Sequence, residues 1–117
     1  MNYGIKLLSS CCLLLCASYT GYNNNWYQYT LKQMDGRYYV GITKNLNNRL
    51  NQHFSGNGAK WTKKYKPTEV QEINYVGNYN NAKIAETQKY YEYKNMYGSN
   101  NVRGAGYTSS IENMIFV

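Results

Sequence analysis

The chain has 117 residues, which is enough for one small domain, so we expect no second, fused targeting module. Thirteen Lys and Arg residues stand against six Asp and Glu, and the formal net charge is +7. This balance favours an anionic partner, either nucleic acid or an anionic membrane surface. Net charge alone fits equally well a protein that merely happens to be basic.

The first 25 residues form a leader that differs from the rest of the chain. Lys6 is its only charge, and Leu7–Ala17 is an apolar run. The run has the length of a signal-peptide core, whereas a membrane-spanning helix needs about 20 residues. The pattern favours a secretory signal over an uncleaved membrane anchor or an extension without a targeting role. All three cysteines lie in the leader: Cys11, Cys12 and Cys16. Cleavage would therefore exclude any disulfide or cysteine-based zinc site from the remaining chain.

A hairpin is predicted directly after the leader. Trp26–Leu31 is rich in aromatic and β-favouring residues and predicts the first strand. Met34–Gly36 carries an Asp-Gly turn signal, and Tyr38–Ile42 predicts the return strand.

A helix is predicted next. Thr43–Asn45 offers N-cap side chains, and the helix runs to about Phe54. Leu46, Leu50 and Phe54 are spaced by four residues, which predicts one stripe facing the core. A Gly-containing loop follows over residues 55–59.

The second half of the chain predicts one more strand and one more helix. The strand is Val70–Val76, and the helix runs from Ala82 to about Tyr97, with Asn80 or Asn81 as its cap and Gly98 at its end. The predicted fold class is α+β, with a small three-stranded antiparallel sheet flanked by helices. This domain covers residues 26–110, and residues 111–117 form a tail.

The basic residues are concentrated in the first half of the domain. Gly36–Thr68 contains no acidic residue, and aromatic side chains lie between its cations. Cations neutralise phosphates and aromatic rings offer stacking surfaces, so this composition is typical of a nucleic-acid groove. The candidate DNA-binding residues are Arg37, Lys44, Lys60, Trp61, Lys63, Lys64 and Lys66.

Arg49 and His53 lie four residues apart on the first helix and therefore share one face. The planar fork of an arginine matches a phosphate. A histidine can donate a hydrogen bond to an oxyanion or a leaving group. On spacing alone, a solvated helix face is the commoner explanation.

Glu86 is a lone carboxylate near the start of the second helix. Such a residue stabilises the helix dipole, or it binds Mg²⁺, which needs only one or two carboxylates beside waters and substrate phosphates. Tyr27, Tyr29 and Tyr39 lie on the hairpin. Tyrosines in strands are ordinarily packing residues, and a phenol with a pKa near ~10 activates water only when its surroundings help.

These residues, taken in order, resemble the GIY-YIG nuclease superfamily, as a stand-alone member of the structure-specific repair type. Its two hallmark tripeptides look like Tyr27-Gln28-Tyr29 and Tyr39-Val40-Gly41, with nine residues between Tyr29 and Tyr39. Gln28 departs from the aliphatic residue that the family often has. The other matching positions are those of the helix arginine, a following histidine, the metal-binding glutamate and a polar residue near the C-terminal strand: Arg49, His53, Glu86 and Asn101.

The resemblance implies a DNA endonuclease that depends on Mg²⁺ or Mn²⁺. Glu86 would hold the metal ion and Arg49 would clamp the phosphate. Tyr39, with Tyr29 assisting, or His53 would orient or deprotonate the water. Asn101 would close the site.

Two other functions compete with this one. The basic stretch equally predicts a non-catalytic DNA-binding module on the same fold, and the leader fits a secreted or membrane-associated basic protein. The expected partners are DNA and an unidentified targeting subunit, with membrane contact only through an uncleaved leader. The sequence leaves the localisation undecided, because the leader suggests secretion and a nuclease suggests the cell interior.

Overall fold

The computed structural model describes residues 25–106, so the predicted leader up to residue 24, residues 107–110 of the predicted domain and the tail from residue 111 lie outside the described residues. The central hairpin is confirmed. Strand β1, Trp26–Gln33, pairs antiparallel with strand β2, Arg37–Thr43. Between them, Asp35 has φ 61° and Gly36 has φ 70°. Both residue types tolerate this left-handed conformation, which explains why an Asp-Gly pair makes the turn.

The sheet has four strands and is mixed, so the prediction of three antiparallel strands was wrong. Strand β3, Pro67–Gly77, pairs antiparallel with the other edge of β1. Strand β4, Val102–Gly104, pairs parallel with β2, and the order is β3-β1-β2-β4. Three residues carry too little alternation to reveal a strand, and their ladder partner is more than 60 positions away in the chain.

Three helices accompany the sheet in the described part of the chain. Helix α1, Leu46–Phe54, is capped as predicted, since the Asn45 side chain accepts a hydrogen bond from the Asn48 amide. Helix α2, Lys60–Lys64, is a single turn that was not predicted. Helix α3, Tyr79–Tyr97, ends at Gly98 as expected.

The start of α3 differs from the prediction. Its N-cap is Asn78, whose side chain accepts from the Asn81 amide, and not Asn80 or Asn81. Three neighbouring asparagines can all act as caps, and only the one with an extended backbone does so here. None of the described helices combines the length and the apolar character needed to cross a membrane.

Alternate side chains of the sheet build two apolar layers. Successive residues of a strand point to opposite faces, so each face of the sheet carries one layer. Helices α1 and α2 cover one layer, and α3 covers the other. The first layer contains Tyr29, Leu31, Tyr39, Leu50, Val70 and Ile73. The second contains Tyr38, Val40, Tyr90, Tyr93 and Val102.

Candidate active site

The hairpin brings the phenols of Tyr29 and Tyr39 to one face of the sheet. Tyr29 pairs with Gly41 across the β1–β2 ladder, and Tyr39 pairs with Leu31. The two rings lie 6.4 Å apart between centroids. A Cβ atom at position 41 would overlap with the Tyr29 hydroxyl, so glycine is the residue that leaves room for this ring.

Helix α1 turns His53 inward, onto the Tyr29 hydroxyl. The His53 Nε2 atom lies 2.7 Å from the Tyr29 oxygen, and His53 is 1% exposed. Its ring centroid lies 5.0 Å from that of Tyr39. A solvated helix face is therefore the wrong explanation for His53, which is buried between the sheet and α2.

Thr62 of α2 holds the other side of the His53 ring. The Nδ1 atom lies 2.9 Å from the Thr62 hydroxyl, which in turn donates a hydrogen bond of 2.9 Å to the Ala59 carbonyl. Gly58 lies against the same ring edge, where a Cβ would overlap with Nδ1. Thr62 was not among the predicted site residues, because nothing in the sequence distinguishes it from the other polar residues of this segment.

Arg49 lies one turn before His53 and faces both phenols. Its guanidinium donates to the Gln52 Oε1 atom at 2.8 Å, which fixes the side chain along α1. Burial by itself lowers the pKa of Arg49, but the hydroxyls of Tyr29 and Tyr39 outweigh that effect and raise it. Arg49 is therefore a permanent cation in contact with two tyrosines.

Both tyrosines are held in the neutral phenol form. Burial raises the pKa of Tyr29 and of Tyr39 above its ordinary value, and the negative charge of Glu86 adds to the rise. Arg49 opposes it in both residues through its charge and through hydrogen bonding. The cation thus selectively favours a phenolate, should one form during a reaction.

His53 is neutral over the whole physiological range. Burial lowers its pKa to about 3, and the positive charge of Arg49 acts in the same direction. A neutral imidazole has one ring nitrogen that accepts a hydrogen bond and one that donates. His53 can therefore accept a hydrogen bond inside this site.

Glu86, the predicted metal-binding residue, lies on α3, and its negative charge acts on both phenols. It is 7% exposed, and its Oε1 atom pairs with the Lys83 ammonium at 3.2 Å. No cluster of three or more His, Cys, Asp and Glu occurs within residues 25–106. A single carboxylate still fits Mg²⁺ or Mn²⁺, because such ions retain waters and take substrate phosphate oxygens as further ligands.

The comparison with known families agrees with this geometry. A family model described as the GIY-YIG catalytic domain matches residues 25–107. The chain belongs to the GIY-YIG family. This membership places it within an endonuclease superfamily.

Several curated relatives are similar to this GIY-YIG chain. A UPF0213 protein of Photorhabdus laumondii is 38% identical over 65 residues, which are 56% of this chain and 62% of the relative. One from Pediococcus pentosaceus is also 38% identical, over 56% of this chain and 68% of the relative. One from Bacillus pumilus is 47% identical over 40% of this chain and 48% of the relative. The match thus spans from 48% to 68% of the length of these proteins, and their names state no activity. No solved structure matches the chain.

Two predicted site residues of this GIY-YIG domain, Tyr27 and Asn101, make their ring contact and hydrogen bonds outside the group formed by Tyr29, Tyr39, Arg49 and His53. Tyr27 packs against the apolar layer of Tyr29, with its ring 5.3 Å from that of Tyr75. Asn101 lies just before β4, where its side chain accepts from Arg37 at 3.0 Å and donates to the Tyr97 carbonyl at 2.7 Å. Those contacts tie Asn101 to the start of β2 and the end of α3, not to the phenols.

The predicted DNA-binding residues divide into two groups. Arg37 and Trp61 are engaged within the fold, since the Arg37 guanidinium lies 4.1 Å from the Tyr65 ring and 5.5 Å from the Trp61 ring. Arg103 covers Trp61 as well, at 4.4 Å. The remaining five residues are exposed: Lys44, Lys60, Lys63, Lys64 and Lys66.

Proposed function

We propose that the chain is a DNA endonuclease that hydrolyses phosphodiester bonds and depends on Mg²⁺ or Mn²⁺. The observation that carries the proposal is the grouping of Arg49 with two buried phenols, one of which is hydrogen-bonded to His53. A packing role would not require a cation against two phenols in an apolar layer.

Arg49 is the residue that would hold the scissile phosphate. Its planar fork binds two phosphate oxygens at once and offsets the negative charge that develops in the transition state. Its bond to Gln52 orients the guanidinium before the substrate arrives, so little ordering remains to be done on binding.

Tyr39 is the better candidate for contact with the attacking water. Tyr39 is 8% exposed, whereas Tyr29 is 1% exposed and lies behind it against His53. Arg49 favours the ionised form of Tyr39. Once Tyr39 has lost its own proton to solvent, the phenolate would accept a proton from the attacking water. Tyr29 and His53 then assist by holding the rest of the hydrogen-bonded group.

Glu86 would hold the metal ion, which supplies polarisation of the phosphate and stabilisation of the leaving oxygen. The carboxylate pairs with the Lys83 ammonium at 3.2 Å, and its charge raises the pKa of both phenols. The exposed lysines of α2 lie beside the site, because Thr62 of the same helix contacts His53. They would attract the DNA backbone toward it.

The deciding experiment compares Glu86→Gln with Glu92→Gln, a matched change at an exposed position of the same helix. The full chain is incubated with labelled duplex, flap and branched DNA, in Mg²⁺ and in EDTA. We expect Mg²⁺-dependent cutting by the wild type and by Glu92→Gln, and loss of cutting with retained DNA binding in Glu86→Gln. Undiminished cutting by Glu86→Gln would refute the proposal.

A non-catalytic DNA-binding module is the second candidate, and the five exposed lysines favour it. It predicts binding of all these DNAs without cutting, whatever metal ion is added. Cutting that appears only in the presence of a further protein would instead point to a targeting subunit.

A further inference from the structure

The hydrogen atoms around His53 can be assigned from the partners on both sides of its ring. On the Nδ1 side, the single hydroxyl hydrogen of Thr62 is donated to the Ala59 carbonyl. The Thr62 oxygen can then only accept from the ring, at 2.9 Å, so Nδ1 carries the hydrogen.

The Nε2 side leads independently to the same assignment. The Tyr29 oxygen faces Arg49, whose guanidinium is only a donor. The Tyr29 hydrogen therefore points away from Arg49, toward Nε2 at 2.7 Å. With the opposite tautomer, Nε2 would also donate to the Tyr29 oxygen. The Tyr29 hydrogen would then lose this acceptor between two residues that are each only 1% exposed.

We propose that Thr62 and Gly58 are positioning residues that hold His53 as the Nδ1–H tautomer, with Nε2 as the acceptor of the hydrogen bond from the Tyr29 hydroxyl. Neither residue touches the reacting atoms. Thr62 selects the tautomer, and Gly58 provides the space in which the ring edge can reach the Thr62 hydroxyl. The tautomer is independent of the proposed function, and only its effect on cleavage depends on that function.

The consequence is a directional group of hydrogen bonds. The Tyr29 hydroxyl donates to Nε2 and the His53 Nδ1–H donates to Thr62, so the lone pairs of the Tyr29 oxygen are left to face the Arg49 guanidinium. With the opposite tautomer this order of donors and acceptors would be broken, because Nε2 would already carry a hydrogen.

His53 is the only histidine of the chain, so its nitrogen NMR signals need no assignment by mutagenesis. The full chain labelled with ¹⁵N-histidine is compared with Thr62→Val, Thr62→Ser and Gly58→Ala at neutral pH. In the wild type and in Thr62→Ser we expect a pyrrole-type Nδ1 signal and a pyridine-type Nε2 signal. In Thr62→Val and Gly58→Ala the two signals should move toward intermediate values.

Cleavage by the same variants tests the consequence. We expect kcat to fall roughly 10-fold or more in Thr62→Val with KM unchanged, and to recover in Thr62→Ser. Circular dichroism and the melting temperature identify a variant that fails to fold, and Gly58→Ala then provides the test with Thr62 intact. A wild-type spectrum with the hydrogen on Nε2, or no change of spectrum in either variant, would overturn the proposal. The expected spectrum from a protein that cuts no DNA would overturn the nuclease function alone and leave the tautomer assignment standing.

Discussion

The imidazole of His53 has protein partners on both of its nitrogens, Tyr29 and Thr62. Adding a proton would place a charge in a buried site beside the Arg49 cation and would remove the acceptor of the Tyr29 hydroxyl. Burial and the charge of Arg49 are the reasons why the pKa of His53 falls to about 3 from its ordinary 6.5. The site is therefore built for an uncharged histidine.

This burial predicts a pH-dependent stability. The unfolded chain binds a proton at His53 below about pH 6.5, and the folded chain does so only below about pH 3. Stability is thus fully present above 6.5 and is lost as the pH falls through that window. Between pH 7 and pH 4.5 we expect a loss of about 2–3 kcal/mol from this residue, measured by urea unfolding.

His53→Gln is the control, because the chain has no other histidine. Carboxylates that titrate in the same range affect both proteins alike, so the difference between the two stability curves isolates His53. Parallel curves for the two proteins would contradict a buried neutral imidazole.

At the scale of single residues, the sequence indicated which side chains lie together better than it indicated how deeply each one is buried. The order and spacing of Tyr29, Tyr39, Arg49 and His53 were enough to select four residues that the structure brings together. The burial of His53 was not predictable, since the leucine stripe of α1 assigned the core face and left His53 beside it. Thr62 gave no signal because its role depends on a contact made only after α2 packs against α1.

At the scale of elements, α2 connects the site to the basic surface. Its single turn buries Thr62 against His53 and packs Trp61 partly against the first apolar layer. Its lysines are left on the outside, on the same helix as the threonine that contacts His53. One short helix therefore positions a site residue and presents the charge that attracts substrate.

We predict that replacing the three lysines of α2 with glutamine weakens DNA binding without changing the site. Each phosphate interaction that the substitutions remove should lower the slope of log K against log salt by about 0.9. The binding constants are measured between roughly 50 and 200 mM salt, because affinity that depends on phosphate contacts falls steeply over this range. The variant replaces Lys60, Lys63 and Lys64.

Lys94→Gln is the control, because it removes a lysine charge from the far end of α3. It should leave the salt slope unchanged. Equal effects of the two variants, per charge removed, would show that net charge, and not the position of α2, governs binding.

Elements with a strong local signal were predictable, and elements defined by distant partners were not. The hairpin turn and α1 follow from the Asp-Gly pair, the Asn45 cap and the leucine spacing. By contrast, β4 exists only because it lies beside β2, and α2 only because Thr62 and Trp61 have a surface to pack against. Such short elements cannot be recognised from their own few residues.

At the scale of the whole molecule, a nearly buried ion pair fastens α3 to the edge strand β3. The Lys89 ammonium lies 2.9 Å from Glu72 Oε1, and the Tyr93 hydroxyl donates to Glu72 Oε2 at 3.4 Å. This pair stabilises the contact between the sheet and the helix that carries Glu86. It lies on the α3 side of the sheet, away from His53.

We predict that Glu72→Gln destabilises the fold by roughly 1–3 kcal/mol, because it leaves the Lys89 cation without its less exposed partner. Glu92→Gln removes the other carboxylate near Lys89, which is 55% exposed, and should cost less than about 1 kcal/mol. Urea unfolding measures both values. Equal losses in the two variants would contradict the assignment of Glu72 as the principal partner.

The fold class of the molecule could be predicted from the sequence, whereas the topology of its sheet could be predicted only in part. The alternation of the hairpin, the two longer helices and the hallmark tripeptides were sufficient for an α+β domain of the GIY-YIG family. The parallel pairing of β2 with β4 was not, because it requires α3 to return the chain to the far side of the hairpin.

The contact between Gly41 and Tyr29 bears on how the hallmark tripeptides tolerate sequence drift. Position 41 admits no side chain while Tyr29 occupies the space above it, so the two positions are coupled. Gln28 points to the opposite face, where it donates to Thr30 at 2.9 Å and accepts from Asn74 at 2.8 Å. A change there is tolerable when those neighbours change with it. Divergent members of the family are therefore better recognised by which positions must vary together than by the letters of the tripeptides.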